Sequence, residues 1–225
     1  MTNKIIAQNK DHLKTLIREA IAENGLACDL NFIDVSQITD MCSLFQESEF
    51  VGNISEWNVS NVSNMRALFA GSRFNGDISR WNVSNVKYMD SMFAYSEFDG
   101  DISRWDVSSV EDMQYMFAAA AFNGDISRWN VSNVTNMSSM FDNIDYEAAV
   151  GHICFPSDIR PSKFNGDISR WNVSKVTDMQ YMFSGSSFNG NLNSWNVSEH
   201  IYITDMFEDC PLKDNPPEWY KKYFM

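Results

Sequence analysis

The sequence predicts an α/β repeat solenoid with one parallel sheet of about seven strands, short helices on the opposite side and an N-terminal helical cap. Three observations carry this expectation. Phe50, Phe74, Phe98 and Phe122 recur every 24 residues, and Phe164 and Phe188 resume the interval after an interruption. Trp57, Trp81, Trp105, Trp129, Trp171 and Trp195 keep the same period. Within each period the apolar spacing changes from two to three and four, which reads as a strand followed by a helix.

The elements follow in chain order. Residues 9–24, NKDHLKTLIREAIAEN, place Leu13, Leu16, Ile17, Ala20 and Ile21 on one helical face, with Gly25 ending the helix. This makes residues 1–32 a helical cap. Residues 33–209 form the repeat array. A full unit, FNGDISRWNVSNVTNMSSMF at 122–141, carries Ile126, Trp129 and Val131 at strand spacing, which turns Trp129 and Val131 inward and Asn130 outward. Val134, Met137, Met140 and Phe141 then fit one face of a short helix, with Thr39, Ser63, Thr135 and Thr177 placed as N-caps in their units. The pairs Asn75-Gly76, Asp99-Gly100, Asn123-Gly124, Asn165-Gly166 and Asn189-Gly190 read as tight turns using positive φ. Eleven of the thirteen methionines share the two helix slots, so they are core filler and not soft-metal ligands. A partial unit at Ile33, Val35, Ile38, Met41, Leu44 and Phe45 brings the count to about seven. An 18-residue insertion at 142–159 emerges as a loop on one face. Residues 210–225 break the pattern with prolines and offer Trp219, Tyr220, Tyr223 and Phe224 as a C-terminal cap.

Whole-chain properties narrow the function. A formal charge of -13 and a pI near 4.5 argue against nucleic acid and anionic lipid, since both need clustered Lys and Arg. About 18 uninterrupted apolar residues occur nowhere, which excludes a spanning helix. The first twenty residues show no export-signal core, so the chain reads as soluble and cytoplasmic. Cys28, Cys42, Cys154 and Cys210 share no spacing and read as reduced thiols.

The unit F-N-G-D-I-S-x-W-N-V-S-N-V-x-x-M-x-x-M-F resembles the repeat of the BspA-like leucine-rich-repeat surface proteins, a group also described as a domain of unknown function in mycoplasma lipoproteins. The resemblance covers residues 33–209 apart from the insertion. It implies a leucine-rich-repeat horseshoe and adhesion to host or extracellular proteins at a cell surface. No catalytic residue and no cofactor comes with it.

Candidate site residues lie in two places. The outward slot before each tryptophan holds Glu56, Arg80, Arg104, Arg128, Arg170 and Ser194; the slot after it holds Asn58, Asn82, Asp106, Asn130, Asn172 and Asn196. Four arginines at repeat spacing suit bidentate binding of a partner's carboxylates. The competing reading pairs them with Asp77, Asp101, Asp125 and Asp167 as structural ion pairs. The insertion adds Tyr146, Glu147 and His152 as candidates for partner specificity, against a reading of neutral drift. His152 and Cys154 are weak evidence for a thiol nucleophile, and no ligand set suits a metal. Triplets such as Asn58-Val59-Ser60 match glycosylation acceptors but are by-products of the repeat. The functional expectation is a non-enzymatic protein-protein interaction module without cofactor. A cell-surface adhesin is the alternative, and a thiol enzyme centred on the insertion a minor one.

Overall fold

The computed structural model describes residues 4–143 and 162–224. Its regular elements are β1 (Ile5–Ile6), α1 (Lys10–Asn24), β2 (Ile33–Asp34) and α2 (Glu218–Phe224). α1 begins at Asn9, whose side chain accepts from the His12 N–H at 2.9 Å, and ends where Gly25 (φ 82°) donates to the Ile21 carbonyl. Leu13, Ile17 and Ala20 share its buried face and close one end of the core. β1 adds a parallel rung at that end, with Ile5 opposite Ile33. Among the described residues no helix is long and apolar enough to cross a membrane.

Between the two helices, each repeat is a succession of tight turns. In the repeat from Phe50, residue i+3 donates to residue i five times: Trp57 to Ile54 (3.2 Å), Val62 to Val59 (2.9 Å), Leu68 to Met65 (3.2 Å), Ala70 to Ala67 (3.2 Å) and Ser72 to Phe69 (3.1 Å). The first three turns each follow an Asn whose side-chain oxygen takes the N–H two residues on: Ser55 from Asn53, Ser60 from Asn58 and Arg66 from Asn64. Such side chains supply the acceptor that starts a turn. In the turns closed by Leu68 and Ser72 the third residue has positive φ, 48° at Ala67 and 65° at Gly71, which is the type II pattern.

Repeats lie in register on one another through the methionine-phenylalanine segment. Met65, Ala67, Phe69 and Gly71 donate to Tyr88, Asp90, Met92 and Ala94 at 2.8 to 2.9 Å. Single-residue parallel bridges run Asp40, Asn64, Tyr88, Asp112, Asn136, Asp178, Tyr202, crossing the insertion without a break. Inside, equivalent rings stack nearly parallel, so their separations measure the local step. Phenylalanines of the methionine-phenylalanine segment repeat at 5.6 to 6.0 Å. Those opening each repeat do so at 6.2 to 6.3 Å, and Trp57 and Trp81 at 6.5 Å. Repeats are therefore closest at the hydrogen-bonded segment and open towards the tryptophans.

This architecture corrects the leucine-rich-repeat solenoid expected from the sequence. Among the described residues the named strands are only β1 and β2, two residues each, so no sheet of seven strands forms and no row of helices faces it. Ile126 to Trp129 and Val131 to Val134 are turns, and the W-N-V segments of adjacent described repeats share no backbone hydrogen bond. Met137 and Met140 bracket a turn as well, and i to i+3 turns bring every third or fourth residue inward just as a helix does. Thr135 is not an N-cap, because its hydroxyl donates to Glu111 of the preceding repeat at 3.1 Å. The Asn-Gly pairs do not turn on positive φ either. A methyl at Gly124 would lie 2.8 Å from the Phe122 ring, so the glycine is there for close approach. Its neighbour belongs to a ladder in which Asn75, Asp99, Asn123 and Asn165 each accept the N–H of the next repeat's residue at 2.8 to 2.9 Å.

Candidate binding surface

Every candidate arginine is set by the tryptophan after it. Trp57, Trp81, Trp105, Trp129, Trp171, Trp195 and Trp219 each donate Nε1–H to the carbonyl of the Ile or Leu that opens the first turn of the preceding repeat, at 2.8 to 3.2 Å. With Ile78 and Trp81 anchored inside, the turn between them leaves Arg80 outside. Arg104, Arg128 and Arg170 are placed identically. All four are exposed, and among the described residues none makes an ion pair or hydrogen bond. Glu56 and Ser194 occupy the slot in the flanking repeats.

Two residues on, a second row is oriented by its own turn. The side-chain oxygens of Asn82, Asn130 and Asn172 accept the N–H groups of Ser84, Ser132 and Ser174 at 3.2 Å. Because a backbone N–H needs an acceptor, the amide oxygen points to the turn and the amide N–H groups face out. Asp106 takes Ser108 in the same way at 3.0 Å and puts a carboxylate in the row. The surface is thus rich in hydrogen-bond donors, with one acidic interruption. Its outward amides were legible in the recurring N-x-S triplets, which mark these turns.

The aspartates three residues before the arginines are held by their own turns. Asp77 and Asp101 are held below the usual carboxylate range by the hydroxyls and N–H groups of Ser79 and Ser103. Asp125 and Asp167 are lowered by the N–H groups and hydroxyls of Ser127 and Ser169. The neighbouring arginines contribute less in each case and form no ion pair with them. The aspartates open turns, each accepting the N–H two residues on at 2.9 Å. Elsewhere opposite charges do meet between repeats: Arg66 with Asp90 at 2.6 Å, Arg73 with Glu49 at 3.0 Å and Lys87 with Glu111 at 3.1 Å. Arg66 also lies 4.6 Å over the Tyr88 ring. The four arginines instead repeat along the stack with no such partner among the described residues.

Tyr146, Glu147 and His152, with Asp145 and Cys154, lie outside the described residues. The flanks of the insertion meet, since Ser162 N–H reaches Asn143 Oδ1 at 3.2 Å. Asp142, counted with the insertion from the sequence, is buried. Cys28 and Cys210 are free and buried, and burial raises both thiols. Among the described residues no group of three or more His, Cys, Asp or Glu could hold a metal ion.

A family model described as Mycoplasma protein of unknown function, DUF285, matches residues 13–97, 94–150 and 158–220. No curated protein and no solved structure matches the chain.

Proposed function

The chain belongs to the DUF285 family of Mycoplasma proteins of unknown function, and we propose that it works as a non-enzymatic module that binds a protein partner's carboxylates through Arg80, Arg104, Arg128 and Arg170. The observation that carries this reading is the contrast between paired and unpaired cations. Arg66, Arg73 and Lys87 each meet a carboxylate of an adjacent repeat, whereas the four arginines are exposed and unpartnered among the described residues. A cation repeated in four consecutive repeats without a partner among the described residues is open to a carboxylate from outside. The outward amides of Asn82, Asn130 and Asn172 add neutral donors beside the row, with Asp106 tuning its charge. A planar guanidinium suits bidentate carboxylate binding better than a lysine does.

Binding to an array of mixed-sequence peptides tests this. Retained peptides should be enriched in Asp and Glu, and the fourfold Arg→Gln variant should lose at least a tenfold share of their affinity. Equal retention of acidic and neutral peptides would sink the reading. The likeness of the W-N-V-S-N-V unit to BspA-like surface proteins favours a second setting for the same chemistry, adhesion at a cell surface. Labelling of intact cells with a membrane-impermeant reagent should mark the protein in that case, and labelling only after lysis would oppose it.

A further inference from the structure

The step between repeats limits what can lie along the arginine row. Beside this row Trp57 and Trp81 are 6.5 Å apart, and inside the core the Phe98, Phe122, Phe164 and Phe188 rings repeat at 6.2 to 6.3 Å. The arginines sit next to the tryptophans in four consecutive repeats, so they recur at about this step and span roughly three of them, about 19 Å. In an extended polypeptide, side chains on one face recur about every 6.7 Å, twice the rise per residue. The mismatch over the whole row is about 1 Å, within the reach of a flexible arginine. A helix offers about 6 Å between residues i and i+4 but swings about 40° off the row each time. A polyproline helix returns to one face only every three residues, about 9.3 Å.

We propose that the arginine row is a track for an extended acidic segment of a partner protein, with Asp or Glu at alternate positions and one carboxylate gripped per repeat. This rests on the carboxylate-binding reading above and adds the conformation and sequence pattern of the partner. The segment's intervening side chains face away from the row, so only half of its residues need be acidic. That matters on a protein of net charge -13, which repels a uniformly charged polyanion more strongly than a half-charged one. Single-stranded nucleic acid is the polyanion to weigh against it. Such strands bind by stacking bases on exposed aromatics, and the tryptophans beside this row are 3 to 4 % exposed.

Fluorescence anisotropy with labelled ten-residue probes of five Glu and five Ser, in alternating and in blocked order, tests the track against oligo-dT and an alternating Lys-Ser peptide. The alternating acidic peptide should bind at least fivefold more tightly than the blocked one. Its affinity should fall at least tenfold in the Arg80→Gln, Arg104→Gln, Arg128→Gln, Arg170→Gln variant, with circular dichroism confirming that the variant is folded. A single Arg128→Gln change, which perturbs the protein less, should give a smaller loss in the same direction. Equal binding of the two orders overturns the track and leaves the carboxylate reading standing. No binding of either acidic peptide, or binding unaffected by the variants, overturns both. Tighter binding of oligo-dT assigns the row to phosphate and overturns the proposal.

Discussion

Trp129 shows at the scale of one residue what the repeat asks of its tryptophan. The ring is 4 % exposed and its Nε1–H is satisfied by the Ile102 carbonyl at 3.1 Å, so one side chain fills the core and pins its repeat to the preceding one. Trp129→Ala should cost about 3 to 5 kcal/mol in urea unfolding, because the cavity opens between two neighbours that hold its walls apart. Trp129→Phe keeps most of the volume and strands the carbonyl, at about 1 to 3 kcal/mol. A loss below about 1 kcal/mol for the alanine would contradict the packing. Asp112 is the opposite case, a carboxylate that its own burial disfavours. Burial raises its carboxyl, Asp90 adds to the shift, and the Gln114 N–H and Arg66 counter it. The slot holds Asn64 and Asn136 as well as Asp40 and Asp178 in other repeats, each accepting the same backbone N–H. Asp112→Asn keeps that acceptor without the buried charge and should therefore stabilise the protein at pH 7, by about 0.5 to 2 kcal/mol. A raised carboxyl disfavours the native state while ionised, so the gain should be full above its folded pKa. It should shrink as pH falls and vanish below the unfolded value of about 3.9. Thermal melts from pH 7 to 3.5 check this, and a constant difference would point to a cause other than ionisation.

At the scale of elements, which residues go inside was legible and the backbone conformation was not. Ile126, Trp129, Val131, Val134, Met137, Met140 and Phe141 are all buried, because apolar spacing reports a side chain's direction. That direction is shared by a strand-helix unit and by consecutive i to i+3 turns, so periodicity alone could not separate them. The deciding signals were short-range: Asp125-Ile126-Ser127 and Asn130-Val131-Ser132 place an acceptor two residues before a free N–H, twice within eight residues, where a strand would use neither. Positive φ at Ser91, Tyr115 and Ser139 was hidden because glycine, its usual marker, is absent there. Of the candidate site, the arginine row was visible as an exposed slot. Its freedom from the aspartates was not, since spacing cannot show that Ser79 already holds Asp77. The insertion is separable in the same terms. Asn143 and Ser162 occupy slots that are adjacent in the other repeats, their side chain and backbone are bonded, and Trp171 reaches back to Ile126 at 3.1 Å across the gap. Deleting residues 144–161 should thus leave a folded protein whose stability changes by less than about 1 kcal/mol, because closing or opening a surface loop costs only logarithmically with length. This retains Asp142, whose carbonyl accepts the Ala119 N–H at 2.8 Å. Loss of the near-ultraviolet tryptophan signal on deletion would show that the segment is structural.

The whole molecule is a sum of neighbouring repeats, and such a sum is weakest at its ends. α1 and β1 cover one end. Trp219 covers the other, 24 residues after Trp195, in a segment where Pro211, Pro216 and Pro217 disguise the repeat. It donates to the Leu192 carbonyl at 2.8 Å, as every other tryptophan does to its own preceding repeat, and packs edge-on to Tyr220, which meets Phe207. It is also 9 % exposed and among the described residues has a repeat on one side only, so its removal opens a cleft that solvent can enter and not a closed cavity. Trp219→Ala should accordingly cost less than Trp129→Ala, and the damage should be local. Amide exchange should quicken in the repeat beginning at Phe188, less in that beginning at Phe164, and not in those beginning at Phe50 and Phe74, because each repeat transmits its loss only through the next interface. Trp129→Ala, in contrast, divides the stack and should quicken exchange on both sides of it. If Trp219→Ala instead quickened exchange uniformly from Met41 to Phe207, the repeats would be melting as one unit, and the nearest-neighbour account of this stack would fail.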